Sequence, residues 1–182
     1  PIHRTSSHFS ACNLTHRPKF IKNYPFILYR INAETKVSYK NISYTCPGKL
    51  IKGPIVERNG AFQFTYDDND LGYSVFVQCI SLIYSGVTPD EYLQVYEDAL
   101  EDTETFHLTQ GIHYDISFAG VNGRALEIKY AGKGDNRGIN IFSRWIAFKT
   151  NKYIVFVSIG ARTASELEYI FKSIDSSFHV EE

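Results

Sequence analysis

A chain of 182 residues, 43% of them hydrophobic and 15% aromatic, is long enough to bury a core of its own and too apolar to be a disordered segment. Its formal net charge of -1 lacks the cationic excess that a polyanion demands, which argues against nucleic acid as the main partner. No apolar run reaches the roughly 20 residues that a bilayer-spanning helix needs. The most apolar stretch, Gly72–Tyr84, carries Gln78 and Cys79 inside it.

Residues 1–25 are polar and irregular, hold His3, His8 and His16, and read as an arm ahead of a single domain at 26–182. Phe9-Ser10-Ala11-Cys12 resembles a lipoprotein cleavage box without the hydrophobic core that precedes one. The compartment therefore stays open between cytoplasm, export and an organelle lumen. Phe26–Asn32 and Lys36–Cys46 read as strands, the second stopped by Pro47-Gly48. Lys49–Glu57 reads as a connector and Asn59-Gly60 as a turn. Ala61–Tyr66 alternates, with Phe62, Phe64 and Tyr66 on one face. Asp67-Asp68-Asn69-Asp70 reads as a polar loop. Gly72–Tyr84 is apolar on both faces, which predicts a central strand covered on both sides.

The spacing then predicts a helix near 89–102. Thr88 caps it, Pro89 takes the first helical position and Glu91 completes a capping box. Tyr92, Val95, Tyr96, Ala99 and Leu100 form the predicted apolar stripe, and Glu97, Asp98, Glu101 and Asp102 an acidic outer face. Asn122-Gly123 separates the alternating runs Ile112–Phe118 and Arg124–Tyr130. Asn151-Lys152 separates Ile139–Lys149 from Tyr153–Ile159. Thr163 and Glu166 open a second helix near 164–177, with Leu167, Ile170, Phe171, Ile174 and Phe178 on one stripe. The order of elements predicts an α+β class, an antiparallel sheet with helices packed on it as an α/β/α sandwich.

Several short pieces resemble the PsbP superfamily, which includes extrinsic photosystem II proteins, DcrB-type bacterial lipoproteins and Mog-type Ran-binding proteins. They are Tyr44-Thr45-Cys46-Pro47, Thr88-Pro89-Asp90-Glu91-Tyr92, Val121-Asn122-Gly123-Arg124-Ala125 with Tyr130, Asn151-Lys152-Tyr153-Ile154-Val155, and the closing Ile174-Asp175-Ser176-Ser177-Phe178. Together they span roughly residues 36–180. Two departures stand out. Leu50 occupies about the place of the family's early tryptophan, and the single Trp145 sits in a late strand. No acidic Ran-binding segment, and no residue set for manganese or chloride retention, is matched. The resemblance implies the α+β fold and non-enzymatic binding.

The residues themselves supply no chemical motif. Gly132-Lys133-Gly134-Asp135-Asn136-Arg137-Gly138 has cations among glycines, but a strand follows it, so no helix N-terminus faces it and a hairpin loop is expected. Counting a calcium loop from Asp67 places Gly72 at position six and Gln78 at twelve, where the closing carboxylate belongs. A solvated turn is expected instead. Cys12, Cys46 and Cys79 are scattered and read as buried free thiols. No catalytic residue, cofactor or metal ligand is assigned. An enzyme or small-molecule binder with a helix–sheet pocket would draw on His113, Asp115, Arg124 and Glu127, which alternate along the 112–130 hairpin, with Asp115 and Glu127 facing across it. A solvated sheet face is the plainer expectation.

The function expected is that of a non-enzymatic accessory protein docking on a protein partner. A toxin-neutralising immunity protein or a secretion chaperone is the sharper alternative. Candidate partner-binding residues are Asp67, Asp68 and Asp70 in the acidic loop, and Lys133 and Arg137 in the basic one. Tyr24, Phe26 and Tyr29 are candidate aromatic anchors beside the arm.

Overall fold

The computed structural model describes residues 33–58, 60–69, 72–83, 86–98 and 106–182. The arm at 1–25, the strand expected at Phe26–Asn32 and the three aromatic anchors lie outside the described residues. In chain order the elements are β1 (Glu34–Tyr39), β2 (Ile42–Pro47), β3 (Ile51–Arg58), β4 (Ala61–Asp68), β5 (Tyr73–Ser81), α1 (Pro89–Asp98), β6 (Phe106–Phe118), β7 (Val121–Gly132), β8 (Asn140–Lys149), β9 (Tyr153–Ala161), α2 (Ala164–Asp175) and β10 (His179–Val180).

Seven strands form one antiparallel sheet in the order β3-β4-β5-β9-β8-β7-β6. Period-two alternation along the central strands sends side chains to two cores. Ala125, Ile146, Phe148, Val155, Val157 and Ile159 pack on one face, with Leu167, Ile170, Phe171 and Ile174 of α2. Leu126, Ile128, Ala147, Ile154 and Phe156 pack on the other, with Tyr92 and Leu93 of α1. The expected α/β/α arrangement is the one observed. Beside α2, a three-stranded sheet of order β1-β2-β10 lays Val37, Ile42, Tyr44 and Cys46 on Phe62, Phe64, Val75, Val77 and Cys79. β5 lies between β4 and β9 and is buried along both faces, as its composition predicts.

Both helix starts form as expected. The Thr88 N–H donates to Glu91 at 2.8 Å while the Glu91 N–H donates to Thr88 Oγ1 at 3.3 Å. Thr163 and Glu166 repeat the box on α2. All five predicted stripe residues are buried, Phe178 among them although it lies just past the end of α2.

Five expectations need correction. Lys36–Cys46 is not one strand but two, β1 and β2, folded at Lys40-Asn41 with Lys40 at φ +50°. Lys49–Glu57 is largely strand β3 rather than connector. Its alternation is masked by Pro54 and a register shift between Lys52 and Ile55. On α1, Val95 is 58% exposed and Leu93 fully buried. The helix is rolled so that Tyr92, Leu93 and Tyr96 face the sheet and bring Asp90 and Glu97 to its flanks, where Arg124 and His113 hold them. Glu97 is therefore not on the outer face, and residues 99–102 lie outside the described residues.

The hairpin after β6 turns at Ala119-Gly120, not Asn122-Gly123. Ala119 has φ +52° and Gly120 φ +74°, the paired positive values of a type I′ turn. Asn122 and Gly123 are ladder residues opposite Ser117 and Ile116. Gly123 is needed for a different reason: a Cβ there would lie 2.6 Å from the Ala147 carbonyl oxygen. Finally, Asp67 and Asp68 are the last residues of β4, not a solvated turn. Asp68 continues the core-facing row of Phe62, Phe64 and Tyr66 and is 3% exposed.

Candidate functional site

Strand order brings the two candidate loops to the same end of the large sheet. The β4–β5 turn follows Asp68 and re-enters the sheet at Tyr73, where Ser74 pairs with Gly160 of β9. The β7–β8 loop leaves at Gly132 and returns at Asn140, two residues before Phe142 pairs with Ala161 of the same strand. The two turns are three strand spacings apart, about 14 Å.

The acidic side is built rather than merely exposed. Asp68 Oδ2 accepts the Lys49 N–H at 2.9 Å, tying the β2–β3 connection to the end of β4. The Gly72 N–H donates to the Asp68 carbonyl at 2.7 Å and closes the turn. Asp68 is thus a buried structural group, Asp67 is half-buried and Asn69 exposed; Asp70 lies outside the described residues. Gly72 sits at φ +70°, and a Cβ on it would fall 2.1 Å from Arg162 Nε, so the Arg162 guanidinium packs directly on its Cα. Arg162 follows β9 and places a cation between the two loops. Sequence reading misses it because nothing local marks the residue after a strand as belonging to this end of the sheet.

The basic loop contains a single 3-10 turn at Gly134–Asn136. Backbone bonds from Gly132 to the Ile139 carbonyl (2.8 Å), Asn136 to Lys133 (2.9 Å) and Ile139 to Asn136 (3.0 Å) brace it. Lys133 is half-buried; Asp135 and Arg137 are exposed. At the adjoining α2 N-terminus the capping box takes up the Thr163 and Glu166 N–H donors.

The four hairpin residues weighed for catalysis are split by the sheet. Toward α1, Arg124 donates to Asp90 at 2.5 Å and to Asp115 at 2.6 Å, while His113 Nε2 lies 2.8 Å from Glu97. Toward α2, Glu127 accepts from Tyr114 at 3.1 Å and from Arg144 Nε at 2.9 Å. Arg144 also reaches Glu168 at 3.0 Å and stacks over Phe171. Asp115 and Glu127 therefore do not face each other: their register partners are Arg124 and Ile112, on opposite faces. Each cluster is an ion-pair network closed on itself and clamping a helix to the sheet. Gln78, the polar residue inside the apolar β5, does similar work. Its side-chain carbonyl accepts both the Tyr92 and Tyr96 hydroxyls.

At the opposite end of the sheet lies an open groove of about 580 Å³ beside Lys40, Glu57, Phe62 and Tyr153. Lys40 Nζ lies 2.8 Å from Glu57, so two of the groove's three charges are spent on each other, and Arg58 is the third. Among the described residues no three His, Cys, Asp or Glu side chains cluster as a metal ion requires. No helix among them is long and apolar enough to cross a membrane.

No protein-family model matches the chain, and no curated protein matches it. Solved structures do. The cyanobacterial PsbP (CyanoP) from Synechocystis sp. PCC 6803 is 15% identical with a TM-score of 0.51, over 87% of this chain and 98% of that one. LpqN of Mycobacterium tuberculosis, described as involved in cell envelope biogenesis, is 14% identical with a TM-score of 0.46, over 82% and 91%. The helix-covered antiparallel sheet of this chain is a PsbP-like fold, as the short sequence matches imply.

Proposed function

We propose that the protein is a non-enzymatic accessory protein that docks on a protein partner through the sheet end bearing the β4–β5 turn and the β7–β8 loop. The observation that carries this reading is the convergence of charge there. Asp67 stands at the end of β4, Lys133 and Arg137 on the β7–β8 loop, and Arg162 follows β9 between them. The four hairpin side chains weighed for catalysis serve instead to hold the helices on the sheet, through ion pairs with Asp90, Glu97 and Arg144. Asp68 serves the site by holding the turn, and Asp70 belongs to the same loop by sequence. Loops at one end of a rigid sheet change without cost to the core, which suits a docking surface.

A partner spanning both loops presents charge of both signs, and its association rate falls as salt rises. The test begins with cross-linking and mass spectrometry in the native host to identify the partner. Association rates are then compared between the wild type, Asp67→Ala and Lys133→Ala/Arg137→Ala. The charge variants should associate more slowly, and because Asp67 and Lys133 are half-buried, a thermal melt of each separates a lost partner contact from a loss of folding. Wild-type rates in both variants would reject this placement.

A further inference from the structure

We propose that the outer edge of β6, between Gly111 and Ser117, pairs antiparallel with the same edge of a second copy of this chain, on a two-fold axis through Tyr114. This goes beyond the docking reading and does not depend on it.

Among the described residues the large sheet ends in β3 on one side and β6 on the other. The β3 edge carries the features that deter pairing: Pro54 within the strand, a register shift between Lys52 and Ile55, and exposed Lys52, Glu57 and Arg58. β6 has an irregularity between Leu108 and Gln110, but from Gly111 to Phe118 its ladder with β7 is unbroken and holds neither proline nor lysine. Two exposed residues on that stretch suit a cross-strand neighbour. Ile112 is 46% exposed, and the Asp115 side chain is 90% exposed.

The sequence of this edge is complementary to itself in one register. An axis through Tyr114 and normal to the sheet sets His113 opposite the partner's Asp115, Ile112 opposite the partner's Ile116, and Gly111 opposite the partner's Ser117. A histidine can hydrogen-bond a carboxylate across antiparallel strands in either charge state, and paired β-branched side chains are favourable there. Moving the axis to residue 113 sets histidine on histidine, and moving it to 115 sets aspartate on aspartate. Each His113 would then lie between Glu97 of its own α1 and the partner's Asp115, with Arg124 and Asp90 completing the charged row. The two large sheets become continuous across the axis, with both α1 helices on one face.

The experiment uses the full chain. Sedimentation velocity from about 1 to 200 µM brackets the affinity of a small interface. The wild type should pass from monomer to dimer, and Ile112→Lys should raise the dimer Kd at least about tenfold. In a Cys12→Ser background, Tyr114→Cys should oxidise to a disulfide-linked dimer, because on-axis Cα atoms of paired strands lie about 4.5–5.5 Å apart. Ile112→Cys should not, since its copy sits four residues along the partner strand, about 14 Å away. A wild type that stays monomeric at the highest concentration overturns the proposal and leaves the edge to a different chain. A dimer unaffected by Ile112→Lys, or cross-linking as readily at 112 as at 114, overturns it too. If Tyr114→Cys does not fold, the wild type and Ile112→Lys decide alone.

Discussion

The Ala119 N–H donates to the Asp175 carboxylate at 2.7 Å, joining the β6–β7 turn to the last turn of α2 across 56 residues of sequence. Alanine in the left-handed region is strained by about 1–2 kcal/mol, so this turn is held from outside rather than by its own residues. Asp175→Ala should cost about 1–2 kcal/mol, as for a lost hydrogen bond to a charged group. Ala119→Gly should raise stability by about 0.5 kcal/mol, the relieved strain being partly offset by unfolded-state entropy. Urea denaturation measures both, and a destabilised Ala119→Gly would contradict the account.

Tyr44 is 2% exposed and stacks at 11° against both Phe64 and Phe178. Its hydroxyl is buried with no hydrogen-bond partner among the described residues. A buried hydroxyl left unsatisfied costs about 1–3 kcal/mol. Tyr44→Phe removes that cost and leaves the stacking in place, so it should stabilise the protein by about 1 kcal/mol. A loss of stability would mean that the hydroxyl has a partner after all.

Burial pushes the Cys46 and Cys79 thiols up to about 12 from an ordinary value of 9.0. Both should resist a thiol reagent in the native state at pH 8 and react once the chain is unfolded. The linkage has a definite sign. The folded state keeps these protons after the unfolded state has released them, so their contribution is complete below about pH 9 and is lost as pH rises toward 12. Tyr44 and Tyr73, also raised by burial, add to the same slope. Unfolding free energies at pH 8 and pH 10.5 should therefore differ, and by less in Cys46→Ala/Cys79→Ala. An equal fall in that variant would point to other groups.

Arg144 is 12% exposed, bridges Glu127 and Glu168, and lies 4.3 Å from the Phe171 ring centroid. Arg144→Ala removes packing on Phe171 as well as both ion pairs and should cost about 2 kcal/mol, with the carboxylates' partial exposure limiting the charge part. Arg144→Met restores the packing alone and should recover part of the loss. If thermal melts show the two variants equal, the stem contributes nothing.

The local signals were those contained within a few residues. Thr88 with Glu91 and Thr163 with Glu166 announce their helices because a capping box is closed by one turn of chain. Alternation around Phe62 and Phe64, and apolar residues on both faces of β5, announce strands for the same reason. The antiparallel sheet with covering helices follows, since such faces must be buried on something.

The relations between distant segments follow from the assembled sheet and its helices. The roll of α1, with Leu93 inside and Val95 out, is set by Gln78, Arg124 and His113 of the sheet, and Val95 fits the helical stripe as well as Leu93 does. The turn at Ala119-Gly120 was illegible because alanine disfavours positive φ and the compensating Asp175 lies in another element. Asp68 reads as a loop residue because its partner is a backbone N–H nineteen positions away. The placing of the β4–β5 turn and the β7–β8 loop at one end of the sheet, with Arg162 between them, depends on β9 being inserted between β5 and β8. Strand order is fixed by packing over the whole sheet, and no short stretch of chain encodes it.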